Sequence, residues 1–84
     1  MNRSDSPAHR ALVRELTQVR QSIGLTQSEL AEKLGVQASL VGRIEAGERR
    51  IDMIEGVHLA RALGIDPIEL MALVDRTMAQ DERW

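Results

Sequence analysis

The stretch from Leu25 to Gly47 constrains the fold most, because it carries helix start and stop signals in close succession. Thr26 can accept from the backbone N–H of Glu29, Glu29 can reach back to Thr26, and Leu25 can pack on Leu30 as a staple. Gly35 stops this helix. Leu30, Ala31 and Leu34 share one face, and Val36, Val41 and Ile44 supply a matching face on a second helix that Gly47 ends. The connection Gly35-Val36-Gln37 is too short to let the helices separate. They must cross sharply over a shared core, leaving the outer face of the second, Ala38-Ser39-Leu40 with Gly42-Arg43, free to touch something else.

The flanks read as three more helices. Ser6 is an N-cap with Pro7 at the first helical position, and Leu12, Leu16, Val19 and Ile23 form one buried stripe before Gly24. Asp52-x-x-Glu55 is a second capping box, opening a helix that runs to Leu63 with Met53, Val57, Ala60 and Leu63 facing inward. Gly64 stops that helix, and Asp66-Pro67-Ile68-Glu69 starts a fifth. With no alternating pattern anywhere, the expectation is an all-α, five-helix fold with a helix-turn-helix at helices two and three. Residues 1–6 read as a disordered arm, 7–80 as a single domain and 81–84 as a tail, since 84 residues leave room for one core.

Composition narrows the function. The chain has no cysteine, which excludes disulfides and thiolate metal sites, and no apolar run long enough for a membrane span, so a reducing cytoplasm is the default. Trp84 is the only aromatic residue, so a stacking platform for single-stranded nucleic acid is absent. Net charge is −2, unevenly spread: Arg10 to Arg50 sums to +2 and Ile51 to Trp84 to −4. A positive front suits contact with phosphate, and an acidic back suits solvent or a protein partner. His9 and His58 stand apart, with no nucleophile, no glycine-rich loop and no metal-spaced ligands beside them. They read as solvated or edge-of-core residues, and no enzyme, metal site or cofactor is expected.

Gly24-Leu25-Thr26-Gln27, Glu29-Leu30-Ala31, Leu34-Gly35-Val36, Ile44-Glu45-x-Gly47 and Leu59-Ala60-x-Ala62-Leu63-Gly64 together resemble the phage repressor (Cro/C1, Xre-type) helix-turn-helix family. The likeness runs from about Leu12 to Leu73. It implies a lambda-repressor-like domain that binds double-stranded DNA as a transcription regulator, most simply a repressor. It assigns base reading to Gln37, Ala38, Ser39 and Arg43, of which Arg43 is the strongest candidate because a guanidinium can bond O6 and N7 of guanine. Leu40, apolar on the same side, either meets a thymine methyl or tucks against the scaffold. Phosphate contacts fall to Gln27, Ser28 and the free N–H groups at the start of the first motif helix, and to Arg49 and Arg50 in the loop beyond the second. The resemblance also pairs Arg20 with Glu45. Gly42 leaves room for the backbone to approach DNA, or is a neutral small residue. Gly56 departs from the family's usual large apolar residue; either a neighbour such as Ile54 fills the gap or another helix approaches closely.

The fifth helix carries more apolar surface than one core contact needs. Leu70 and Leu73 share one stripe, while Met71, Val74 and Met78 form another that faces elsewhere. A patch of this kind marks an interface, here between two copies, with Trp84 able to add to it. The main reading is a homodimer on an inverted repeat. The second is an antitoxin or adaptor whose acidic half covers a toxin-like protein, DNA binding being secondary.

Overall fold

The computed structural model describes residues 6–78, so the expected arm and tail, Trp84 included, lie almost wholly outside the described residues. Five helices follow in order: α1 Pro7–Ser22, α2 Gln27–Leu34, α3 Ala38–Glu45, α4 Met53–Leu63 and α5 Pro67–Thr77. No strand occurs among the described residues.

Each helix begins where its cap dictates. The Ser6 hydroxyl accepts from the His9 N–H at 3.1 Å with Pro7 in the first turn. At α2, Thr26 accepts from the Glu29 N–H at 3.0 Å while the Glu29 carboxylate accepts from the Thr26 N–H at 2.8 Å. Asp52 and Glu55 repeat that reciprocal box at α4, with bonds of 2.7 and 3.0 Å. Asp66 accepts from the Ile68 N–H at 2.9 Å ahead of Pro67. Two orphan donors at each of these box-capped ends are thereby satisfied.

The turn between α2 and α3 depends on Gly35, whose φ of +71° is in the left-handed region. There the Val36 N–H folds back onto the Ala31 carbonyl at 3.0 Å, ending α2 and reversing the chain within three residues. Leu30, Val41 and Ala60, at 2, 1 and 0 % exposure, lie deepest in the core. Val13 and Leu16 of α1, Ala31, Ile44, Ile51, Leu59, Leu63 and Leu70 complete it, with Leu25 packed at its edge. α2 packs on α3 and α4, while α1 lies across α3, α4 and α5. The framework behind α3 is therefore one continuous apolar cluster.

Several side chains depart from the expected stripes. α1 ends at Ser22 rather than at Gly24, which turns Ile23 outward to 50 % exposure. Val36 lies in the turn, not on the inner face of α3, and is 38 % exposed. Met53 is the first residue of α4 and 72 % exposed, because the helix presents its inner face only from Gly56 onward, and Ile51 of the preceding loop takes the buried place instead. His9, expected at the surface or the core's edge, is buried, and its Nε2 accepts from the Ile51 N–H at 3.1 Å. That bond ties the start of α1 to the loop between α3 and α4. At Gly56 the neighbour is Ile51 and not Ile54, and no other helix approaches closely. Ile54 points away at 71 % exposure, and a Cβ on Gly56 would find only Ile51 Cγ2, at 3.9 Å.

Candidate nucleic-acid interface

The outward side of α3 presents Gln37, Ser39 and Arg43, all exposed. Gln37 occupies the N-cap without using its side chain as a cap and is exposed there. Ala38 and Leu40 on the same helix are half-buried and packed on the core cluster, so of the two places expected for Leu40 it takes the one against the scaffold, with part of its surface still outward. The exposed polar side chains on this side are Gln37, Ser39 and Arg43.

Behind this face a hydrogen-bonded junction sets the position of α3. Arg20 of α1 binds Glu45, the last residue of α3, through Nε to Oε2 at 2.6 Å and Nη2 to Oε1 at 2.9 Å. Its Nη1 donates to the Leu25 carbonyl at 2.7 Å. Gln27, the first residue of α2, donates from Nε2 to Glu45 Oε1 at 2.9 Å. The Arg20 and Glu45 side chains are 10 and 11 % exposed. Hydrogen bonding to Glu45 pushes the Arg20 guanidinium above its ordinary pKa, against the opposing effect of burial, so it is charged at every working pH. Two charges so nearly desolvated hold only because each is bonded repeatedly.

This junction changes the roles of two other residues. The Gln27 side chain, expected on a phosphate, donates one bond to Glu45, while its backbone N–H and its exposed neighbour Ser28 stand at the start of α2. A Cβ on Gly42 would lie 3.4 Å from Gln27 Oε1, at the near edge of ordinary contact, so this glycine sits directly beside the amide that bridges α2 to α3.

The two arginines after α3 separate in the same way. Arg49 pairs with Glu55 through Nη2 to Oε2 at 2.6 Å and Nη1 to Oε1 at 3.0 Å, and Nη1 also reaches the Arg50 carbonyl at 3.1 Å. The bidentate bond raises the Arg49 pKa, and Arg49 followed by the Asp52 backbone lowers that of Glu55 below the usual carboxylate value. Arg49, expected on a phosphate, is paired within the chain and braces the loop, with about a third of its side chain still exposed. Arg50 is the exposed cation of the pair.

An exposed helix with one turn of polar side chains, seated on a second helix by a tight glycine turn, is the geometry of a helix-turn-helix reading head. The chain matches the family model described as Helix-turn-helix over residues 16–70. It belongs to the Xre-type helix-turn-helix family, whose members are DNA-binding transcription regulators. An uncharacterized HTH-type transcriptional regulator of Methanothermobacter thermautotrophicus is 38% identical over 84% of this chain and 99% of its own length. Among solved structures, an XRE-family like protein from Pseudomonas syringae pv. tomato superposes with a TM-score of 0.78 at 36% identity, covering 86% of this chain and 88% of its own. The restriction-modification controller protein C.AhdI from Aeromonas hydrophila superposes at 0.68 with 36% identity, covering 79% and 97%. The match to this Xre-type family includes the whole of α2 and α3 and all four residues of the junction, Arg20, Leu25, Gln27 and Glu45.

Away from the reading head, the stripe expected on α5 is half of a larger feature. Met71 is 56 % and Met78 47 % exposed, while Val74 is half-buried and lines a groove shared with α4. Met78 sits just past the helix, at its C-cap with extended backbone, so it continues the patch but not the helical stripe. No group of three or more His, Cys, Asp or Glu side chains placed to hold a metal ion occurs among the described residues, and no helix there is long and apolar enough to cross a membrane.

Sequence reasoning missed the Arg49–Glu55 brace, the Gln27–Glu45 bond and the His9–Ile51 bond. Glu55 carried a visible signal, since a capping-box glutamate six residues after an arginine across a short loop lies within reach of it. The His9 bond left none, because its partner is a backbone N–H forty-two residues away.

Proposed function

We propose that this chain is a sequence-specific regulator that acts in the cytoplasm as a homodimeric repressor on an inverted-repeat operator, by binding and without catalysis. The observation that carries the DNA-reading part is the exposed set Gln37, Ser39 and Arg43 on a helix fixed by the Arg20–Glu45–Gln27 junction. Arg43 reads a guanine, Gln37 and Ser39 meet neighbouring base edges, and Arg50, Ser28 and the backbone N–H groups opening α2 hold phosphates on either side. Two protomers related by a two-fold axis place their α3 helices in successive major grooves about one turn, roughly 34 Å, apart.

The likeness to a restriction-modification controller protein supports a small regulator of a single operon. Footprinting on the DNA upstream of the protein's own gene tests this. Protection of two symmetric half-sites one turn apart is the expected result. Uniform coverage without a preferred site, or retention on DNA unaffected by salt, would overturn it.

A further inference from the structure

A cleft of about 410 Å³ separates α1 from the end of α3. That volume lies inside the range of small-ligand sites, about 300–1,000 Å³. On the α1 wall, Arg10, Arg14 and Gln18 are successive turns of one exposed ridge, with Val13 and Thr17 on the ridge beside it. The other wall is Glu45, Ala46 and Gly47, the last residue of α3 and the turn that follows. The cleft therefore touches both the helix that anchors the junction and the end of the helix that the junction positions.

The charge in the cleft is positive. Glu45 is the one carboxylate on its lining, and it is already taken by Arg20 and Gln27. Arg14 has no carboxylate within ion-pair distance among the described residues. Arg10 stands one turn before it, and like charges at that spacing repel across a helix face. Both arginines are exposed, so packing does not require them, and an anion placed between them removes the repulsion. Thr17 gives an independent sign. Its Oγ1 is buried and has no hydrogen-bond partner among the described residues, although a helical threonine can bond a carbonyl one turn back. A buried hydroxyl left unbonded is costly and rare, and a partner entering the cleft that Thr17 lines satisfies it.

We infer that this cleft is an effector site for a small anionic molecule, held through a phosphoryl or carboxylate group by Arg14, with Arg10 beside it and the Thr17 hydroxyl and Gln18 amide donating to the same group. Bound there, the molecule bridges α1 to the end of α3 and stiffens the turn leading to Arg50. The inference goes beyond the operator reading above and does not depend on it. Inorganic phosphate is the probe, titrated into the full chain against chloride of equal ionic strength and followed at the backbone amides by nuclear magnetic resonance. Saturable shifts are expected at Thr17, Gln18, Ala46 and Gly47, with slower hydrogen exchange at the Ala46 and Gly47 amides. Arg14→Ala should weaken phosphate binding about tenfold or more, and Arg50→Ala should match wild type. Thr17→Val should also weaken it while the melting temperature holds or rises, because the unbonded hydroxyl is removed with little change of shape. A lower melting temperature with unchanged phosphate affinity would make Thr17 structural and overturn its role. Shifts no larger than those from chloride, shifts confined to Ser28 and Arg50, unchanged exchange at Ala46 and Gly47, or an Arg14→Ala protein that binds phosphate like wild type would overturn the inference. A DNA phosphate is the same chemistry from another source, and operator binding separates the two. Arg14→Ala should leave the salt slope of operator binding unchanged, whereas a slope reduced by about one would assign Arg14 to the DNA backbone and overturn the effector site.

Discussion

The junction where α1, α2 and α3 meet and the groove between α4 and α5 solve opposite problems. At the first, two side chains only about one tenth exposed carry full charges, and the acceptors and donors are matched by Arg20, Glu45, Gln27 and the Leu25 carbonyl. At the second, the side chains are apolar and the largest of them face water, with Met53 at 72 % and Met71 at 56 % exposure. A buried charge network tolerates no missing member, so it fixes one geometry of the reading helix. An exposed apolar groove is satisfied only by another surface. The junction is thus satisfied within one chain and the groove leaves apolar surface facing water, and substitutions at the two should differ in kind, with loss of folding expected at the first.

The largest effect should come from breaking the junction. Glu45→Ala leaves the Arg20 guanidinium without its principal partner and the Gln27 amide without an acceptor, and unfolding by urea should show a loss of about 3–5 kcal/mol. A midpoint unchanged from wild type would mean that water already satisfies these groups. An intermediate effect is expected at His9. His9→Ala removes the acceptor of the Ile51 N–H at a buried position, for about 1–3 kcal/mol, and should loosen the loop bearing Arg49 and Arg50. Hydrogen exchange at the Ile51 amide reads this directly, and protection equal to wild type would sink it.

The smallest effect concerns the Arg49–Glu55 brace, whose side chains are both 31 % exposed. The Glu55 pKa is lowered in the folded state, so its stabilisation is present above the ordinary carboxylate value and is lost as pH falls through the lowered one. Glu55→Gln should therefore cost only about 0.2–1 kcal/mol at neutral pH, discounted for solvent screening, and the gap from wild type should close in acid. A gap that widens on acidification would reverse the sign of this contribution.

Much of the fold was legible because helix ends are written in local chemistry. Thr26 with Glu29, Asp52 with Glu55, and Asp66 with Pro67 each declare a start within a few residues, and Gly35 and Gly64 declare stops. Burial was less legible wherever a helix ended a turn early or presented its first residue outward, as Ile23 and Met53 show. Periodicity gives the phase of a stripe but not which end of it the neighbouring helices cover. At the interface, the exposed polar positions of α3 were visible in the residues, whereas the commitments of Gln27 and Arg49 to carboxylates were not, because both depend on how separate elements meet in space. Gly56 stood out in the sequence as a helix-interior glycine, and only the arrangement of α4 against α5 gives it a groove to line.

The claim that α3 reads bases while the following loop holds the backbone is tested most directly by the salt dependence of binding, for the footprinted operator and for random DNA of equal length. Arg43→Ala should weaken the operator complex by about 1–3 kcal/mol, relax discrimination at one base pair and leave random DNA nearly untouched. Arg50→Ala should weaken both DNAs alike and reduce the salt slope by about one. Equal losses on operator and random DNA for Arg43→Ala would contradict the account, since Arg43 would then be one more phosphate contact and the reading face would lie elsewhere.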